Sequence, residues 1–298
     1  MSLAAGPVRT LHPGPFELAE GPLWHPDRQR LFWFSILDGT LHSADADGAD
    51  VREWRLGERA SAAGVIDRDH LLLASETGLW TLDLEAGEKR PVVPLEADNT
   101  RTRSNDGRSA PDGAFWIGTM GLAAEDGLGA FYRYDPDDRP PVAVVRRDIT
   151  IPNATCFAPD GSFAYLCDTR ERVIRRAPLA DGRPVGEFAP HIDLCSDGLN
   201  PDGAVVDEEG CLWCAMFGAG EVQPFSPDGE RIGAIAFPAR QLTCPAFGGK
   251  AGRTLFVTSA WEHLHEDERP AGEGAIYAVE TTVRGRADPR VRVPPISS

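Results

Sequence analysis

Residues 103–134, RSNDGRSAPDGAFWIGTMGLAAEDGLGAFYRY, carry the pattern that decides the fold. A short segment of small and polar residues runs into the turn tripeptide Pro111-Asp112-Gly113. An aromatic-rich segment, FWIGTM, starts at Phe115, and a third segment, GAFYRY, leads into an Asp-rich turn. Outward from this stretch the aromatic-rich segment recurs as LFWFSI from Leu31, LLLASE from Leu71, FAYLCD from Phe163, LWCAMF from Leu212 and LFVTSA from Leu255. The six copies are spaced by 40, 44, 48, 49 and 43 residues. Third segments follow as TLHSADADG, GLWTLDLEAG, VIRRAPLADG, EVQPFSPDG and GAIYAVE. Alternation of apolar and polar residues dominates and no helical period is sustained, which reads as strand throughout. A unit of roughly 40–50 residues with four strands is the mark of a β-propeller blade. A β-sandwich would supply short strands but not one motif six times in phase, and a β-helix repeats at a much shorter period. The expectation is an all-β, six-bladed propeller with four-stranded blades around a central channel, one domain over residues 1–298. Whether Val8-Arg9-Thr10-Leu11 joins the last blade to close the ring stays open at this point.

Composition narrows the function classes. With 30 Lys and Arg against 46 Asp and Glu, the chain carries a formal charge of −16. No basic run is present, which argues against a nucleic-acid or anionic-membrane partner. No stretch approaches the roughly 18 apolar residues of a membrane span, and the first residues contain no continuous apolar core of a secretory signal. Six cysteines, Cys156, Cys167, Cys195, Cys211, Cys214 and Cys244, are irregularly spaced and read as free thiols of a cytoplasmic protein. Cys211 and Cys214 form a C-x-x-C, but three residues apart on a strand their side chains point to opposite faces, so packing is their expected role.

The repeats place particular residues in register. Glu20 precedes Asp27 by seven residues, as Asn105 precedes Asp112, Asn153 precedes Asp160 and Asp202 precedes Glu209. Repeat 2 puts Ser61 there, and repeat 6 a residue near Thr243 or Cys244. The first strand of each blade lines the axis, so these positions form a ring at one mouth of the channel. Taken alone, Asn105-Asp106-Gly107 and Pro201-Asp202-Gly203 would be turns, as Asn, Asp and Gly favour. The phase instead lifts Pro201-Asp202-Gly203 out of the turn class of 111–113, 159–161 and 227–229 and into the ring. Two carboxylates and amide oxygens converging on one point suit a hard divalent cation with positions left open for water and substrate. Such donors favour calcium, magnesium or manganese, and zinc and iron(II) also accept carboxylates.

Other candidates are weaker. His263 and His265, flanked by Glu262 and Glu266, fall in an irregular charged loop and read as solvated. His25 falls in the first turn of repeat 1 and is expected at the surface. No glycine-rich phosphate loop and no G-x-S-x-G elbow is present.

The segments AEGPLW (19–24), RSNDGR (103–108) with GTMG (118–121), IPNATCFAPDG (151–161), PDGAVVDEEGCLW (201–213) and PAFGGKAGRTLFVTSA (245–260) resemble the SMP-30/gluconolactonase/luciferin-regenerating-enzyme family, which includes regucalcin. The resemblance runs from about Leu18 to Val279. It implies a six-bladed propeller with one divalent metal, calcium first among the candidates, and lactonase activity on sugar lactones. It implies Glu20, Asn153 and Asp202 as metal ligands and Arg103 and Asn105 as substrate contacts. Three departures accompany it: Pro152-Asn153-Ala154 where the family usually has S-N-G, Ser35 in place of an Asp, and Ala123 where an acidic substrate contact is common.

The expected chemistry is metal-assisted hydrolysis of an aldonolactone, with Asp202 accepting the proton of the attacking water. Arg103 offers a rigid fork of donors, and Asn105 both a donor and an acceptor for sugar hydroxyls. Two rivals are hydrolysis of other esters or organophosphates, which an apolar pocket would favour, and a non-catalytic calcium-binding regulatory propeller, which would have no need of the Arg103–Asn105 pair.

Overall fold

A computed structural model describes residues 3–265, 267 and 269–295 of the chain. Six antiparallel sheets stand around an axis, as the repeat predicts. The blades begin with the innermost strands Ala19–His25, Ala60–Val65, Thr102–Ser109, Pro152–Phe157, Asn200–Val206 and Leu242–Gly248. Each pairs with the aromatic-rich strand that the sequence picks out, such as Arg30–Ser35 and Phe115–Gly121. These second strands are buried along almost their whole length because both faces of a blade pack on neighbouring blades. That is why they are apolar at consecutive positions rather than alternating. The fourth blade has its outer edge split between Arg183–Pro184 and Ala189–Asp193. No α-helix occurs among the described residues, and none is long and apolar enough to span a membrane.

The ring closes by mixing the termini. Arg9–His12 forms the outer strand of the sixth blade and pairs antiparallel with Ile276–Glu280, Arg9 facing Ala278 and Thr10 facing Tyr277. The question left open by the VRTL segment is therefore answered in favour of closure. The chain then crosses the far end of the channel. The Val291 amide donates to Val65 O and that of Arg292 to Gly113 O, both at 2.8 Å, and Val291 is buried. Arg108 reaches down from the third blade to meet this tail. Its guanidinium donates to Thr155 O at 3.1 Å and Ala204 O at 3.0 Å, and pairs with Asp288 at 2.7 Å. One buried side chain thus ties three blades to the C-terminal segment and leaves the opposite mouth as the open one.

Turn and strand tripeptides separate as the phase requires. Gly113, Gly161 and Gly229 have φ of 83°, 75° and 88°, the left-handed turn region that glycine tolerates. Gly203 lies within the inner strand Asn200–Val206 instead, where a Cβ would stand 2.3 Å from the Cys244 sulfur. His25 departs from expectation. It ends the first inner strand and is fully buried, with Nε2 3.0 Å from Asp67 O of the next blade, and burial lowers its pKa. The neighbouring blade covers a position that in one repeat looks like an exposed turn. All six cysteines are free. Cys214 packs between blades 4 and 5 and Cys211 against the cluster between blades 5 and 6, so the C-x-x-C residues do face opposite ways.

Candidate active site

Every inner strand slips register against its neighbour near the same height. The slips fall between Glu20 and Leu23, Ala60 and Ala62, Ser104 and Gly107, Asn153 and Cys156, Pro201 and Ala204, and Leu242 and Pro245. A bulge bends the strand and re-aims the side chain beside it. Here the bulges coincide with the ring positions. Gly21 and Ala154, which follow Glu20 and Asn153, adopt φ of 55° and 54°. At Gly21 the conformation demands glycine, because a Cβ would sit 2.2 Å from Ser61 O.

The ring opens into a cavity of about 850 Å³ that brings together Glu20, Arg103, Asn105, Asn153 and Asp202, all five of the residues singled out from the sequence. Each is less than a tenth exposed. Three of them, Arg103, Asn105 and Asn153, belong to one hydrogen-bonded chain across blades 3 to 5. Arg103 Nη1 donates to Asn105 Oδ1 at 2.7 Å, and Asn105 Nδ2 donates to Pro152 O at 2.9 Å and to Asn153 Oδ1 at 3.2 Å. Asn153 Nδ2 donates to Thr169 Oγ1 at 2.8 Å, and the Thr169 hydroxyl donates to Pro201 O at 2.7 Å, next to Asp202. The chain fixes both amides, so Asn153 keeps its oxygen towards Asn105 and the ring. A freely rotating amide would have no such preference.

Electrostatics mark the same residues. Glu20 takes a hydrogen bond from the Gly21 amide and has no basic partner within 4.0 Å among the described residues. Burial, and then the Asp106 carboxylate, push its pKa up to about 8. Asp202 also rises well above the usual carboxylate range, through burial first and then the charges of Glu20 and Asp106. Two buried acids, the first of which raises the second while the Asp106 carboxylate raises both, form a strongly anionic pair once both ionise, and a divalent cation is the partner that would relieve it. The donor set of two carboxylates and the Asn153 amide oxygen fits such an ion. Among the described residues no group of three or more His, Cys, Asp or Glu is gathered, and the donor set here counts two carboxylates with an amide oxygen as the third member.

Several contributors escape the sequence reading. Asp106 reads as half of a turn, yet it is buried and its Oδ2 accepts from the Thr155 amide at 2.6 Å, bracing the bulge that carries Asn153. Thr169, in the turn after the fourth aromatic-rich strand, is the link between Asn153 and blade 5. Its signal was position alone, immediately beyond FAYLCD. Glu262 and His263 line the mouth, whereas His265 is exposed and is not part of the lining, and Glu266 lies outside the described residues. Ala123 does face the cavity. The Glu125 carboxylate just beyond it accepts from the Ala123 amide at 3.0 Å and stands 3.7 Å from Arg101, so it is engaged on the rim. Ser35 is buried and its hydroxyl donates to Asp38 at 2.6 Å.

Comparison with known proteins places this architecture. Residues 18–261 match the family model described as the SMP-30/gluconolactonase/LRE-like region. The chain is 35% identical to a 6-deoxy-6-sulfogluconolactonase of Pseudomonas putida, over 92% of this chain and 95% of that one. It is also 35% identical to an L-arabinolactonase of Azospirillum brasilense, over 92% and 91%. The crystal structure of a calcium-binding regucalcin from Agrobacterium tumefaciens superposes with a TM-score of 0.92 at 37% identity, covering 97% of this chain and 98% of that one. The chain therefore belongs to the SMP-30/gluconolactonase/LRE-like family.

Proposed function

We infer that the protein hydrolyses sugar lactones to aldonic acids in the cytoplasm, and that it does so with a divalent metal ion held by Glu20, Asn153 and Asp202. The observation that carries the reading is the convergence of two buried carboxylates and a hydrogen-bonded Arg103–Asn105–Asn153 chain on one cavity. Lactonases among the similar proteins support the reaction, the regucalcin neighbour supports calcium as the first ion to test, and six free thiols support the compartment.

When bound, the cation would act as a Lewis acid on the lactone carbonyl and stabilise the charge that develops on its oxygen. The chain's own residues do the rest. Asp202 takes the proton of the attacking water. Its burial and the neighbouring Glu20 keep it basic, which offsets the loss of basicity that contact with a cation brings. Arg103 binds and orients the sugar: both of its protein hydrogen bonds leave from Nη1, to Ser104 O and Asn105 Oδ1, so Nε and Nη2 are uncommitted. Asn105 uses both amide hydrogens within the protein, on Pro152 O and Asn153 Oδ1, and its oxygen can still accept from a sugar hydroxyl. The alternative of an apolar ester or organophosphate asks for an apolar pocket, and the seven charged residues of this lining weigh against it.

The test is lactone hydrolysis followed with a pH indicator. Protein stripped with EDTA is assayed alone and with calcium, magnesium, manganese, zinc or iron(II), against a panel of aldonolactones. The expected result is turnover far above spontaneous ring opening, restored by metal and lost in Asp202→Ala. Metal binding without turnover on any lactone would leave the regulatory, calcium-binding reading instead.

A further inference from the structure

The turn Asp168–Arg172, on the blade-4 side of the cavity, is built tightly. The Asp168 carboxylate accepts from the amides of Thr150, Ile151 and Arg170, and the Arg172 amide donates to Thr169 O. Arg172 has φ of 56°, a conformation that costs a side-chain-bearing residue. The equivalent position in blades 1 and 5 is glycine: Gly39 with φ of 61° and Gly220 with φ of 72°. All three precede the third strand, and their carbonyls accept from the outer-strand side of the same blade, from Leu56, Leu194 and Phe237. The fold thus supplies a glycine position and this chain places an arginine in it.

Its side chain has work to do at the cavity. Arg172 Nε donates to Asn200 Oδ1 at 3.1 Å, two residues from Asp202, which leaves both Nη groups unclaimed. Arg170 follows Thr169, the residue bonded to Asn153, and is exposed at the rim. Both arginines line the cavity with Arg103, and none of the three has a carboxylate within 4.0 Å among the described residues. The intervening Glu171 is already held by Arg146 and Arg175, at 2.9 and 2.8 Å. Glu262 is the remaining acid of the lining apart from Glu20 and Asp202. In a chain with a formal charge of −16, two uncompensated guanidinium groups beside the ring make a local cationic wall.

We propose that Arg170 and Arg172 form an anion subsite for a lactone whose far end carries a negatively charged group. This rests on the lactonase reading above and names its substrate class: a carboxylate, sulfonate or phosphate on the carbon remote from the lactone carbonyl. Guanidinium forks match the oxygen geometry of all three groups.

The experiment compares D-glucono-1,5-lactone with its analogues bearing a 6-carboxylate, 6-phosphate or 6-sulfonate, using calcium-loaded protein. Wild type is set against Arg170→Gln, Arg172→Gly and the double variant. The expected kcat/KM is at least tenfold higher for one or more charged lactones than for the neutral one, and the double variant collapses that ratio at least tenfold. The arms show which anion is preferred. Because glycine suits the backbone at 172, Arg172→Gly should not lower Tm, which a merely structural arginine would do. Turnover of the neutral lactone with no charged preference, or a ratio indifferent to both substitutions, overturns the subsite and leaves the lactonase reading intact. Should no lactone be turned over, calorimetric binding of glucarate against gluconate decides the subsite separately. Tenfold tighter glucarate binding that is lost in the double variant sustains it, and equal binding overturns it.

Discussion

Glu20 couples pH, metal and stability in a way that can be measured. Its pKa stands at about 8 in the folded chain against 4.5 for an ordinary glutamate. Between those values the native chain holds a proton that the unfolded chain has released. Stability of the metal-free protein therefore falls as pH rises through this window, at about 1.4 kcal/mol per pH unit and about 5 kcal/mol in all. For a chain of 298 residues, with an unfolding entropy of roughly 2.1 cal/mol/K per residue, that corresponds to a Tm loss of about 8 °C. A cation competes with the same proton. Below pH 8 its apparent affinity should rise at least tenfold per pH unit, one power of ten for the Glu20 proton and more where Asp202 is also protonated. The assay is thermal unfolding in EDTA from pH 5 to 8.5, for wild type and Glu20→Gln, followed by calorimetric calcium titration in two buffers of different ionisation enthalpy at pH 6.5. The variant should fall less steeply by one proton's worth, and wild type should release at least one proton per calcium bound. Parallel curves for the two proteins, or no proton release, would refute the coupling.

Three further outcomes follow from the geometry. Asp202→Asn keeps the shape but removes the proton acceptor and a negative charge, and kcat for lactone opening should fall at least ~10²-fold in a pH-indicator assay. Arg108→Met leaves Asp288 and the buried Asp106 without their cation, a loss of about 3–5 kcal/mol that differential scanning calorimetry should read as a Tm lower by about 5–8 °C. Ala154→Gly relieves the 54° φ, worth about 1–2 kcal/mol, and gives up a buried methyl worth about 0.8 kcal/mol. Tm should stay level or rise by a degree or two, opposite in sign to an ordinary buried Ala→Gly change.

The fold was legible because its information is periodic. Six aromatic-rich strands in phase specify six blades without any single strand being decisive, and the same phase aligned Glu20, Asn105, Asn153 and Asp202. What escaped was whatever depends on a neighbouring blade. His25 looks exposed in its own repeat and is buried by the next one. Asp106 looks like a turn residue, but its partner, the Thr155 amide, is 49 residues away in sequence. The plug of Arg108 on Asp288 spans 180 residues, a separation at which no local pattern operates. The Asp168–Arg172 turn was invisible for a different reason: its message is a backbone conformation, and Arg172 in a glycine position shows only once φ is known.

The two ring positions that carry no carboxylate or amide explain why the others hold their places. Ser61 is buried at the ring position of blade 2, and its hydroxyl stands 2.8 Å from Ser104 Oγ and 2.5 Å from Asn105 O. In blade 6 the Thr243 hydroxyl donates to Ala19 O at 2.6 Å, one residue before Glu20, and stands 2.7 Å from Thr258 Oγ1. Each short hydroxyl thus bonds the backbone of the next blade at or beside a residue that faces the cavity. A longer side chain at either position would project into the channel, and alanine would leave a bulge carbonyl without its donor at the point where the sheet is already irregular. The same register therefore serves two ends around one axis. Four blades present Glu, Asn, Asn and Asp to the cavity, and the two blades between the first and third and between the fifth and first brace the backbones from which those side chains project. A variant such as Ser61→Ala should accordingly disturb lactone binding through Asn105 although Ser61 is not part of the cavity lining. The expected signature is a raised KM with the metal affinity unchanged, and a shift in metal affinity alone would refute the bracing role.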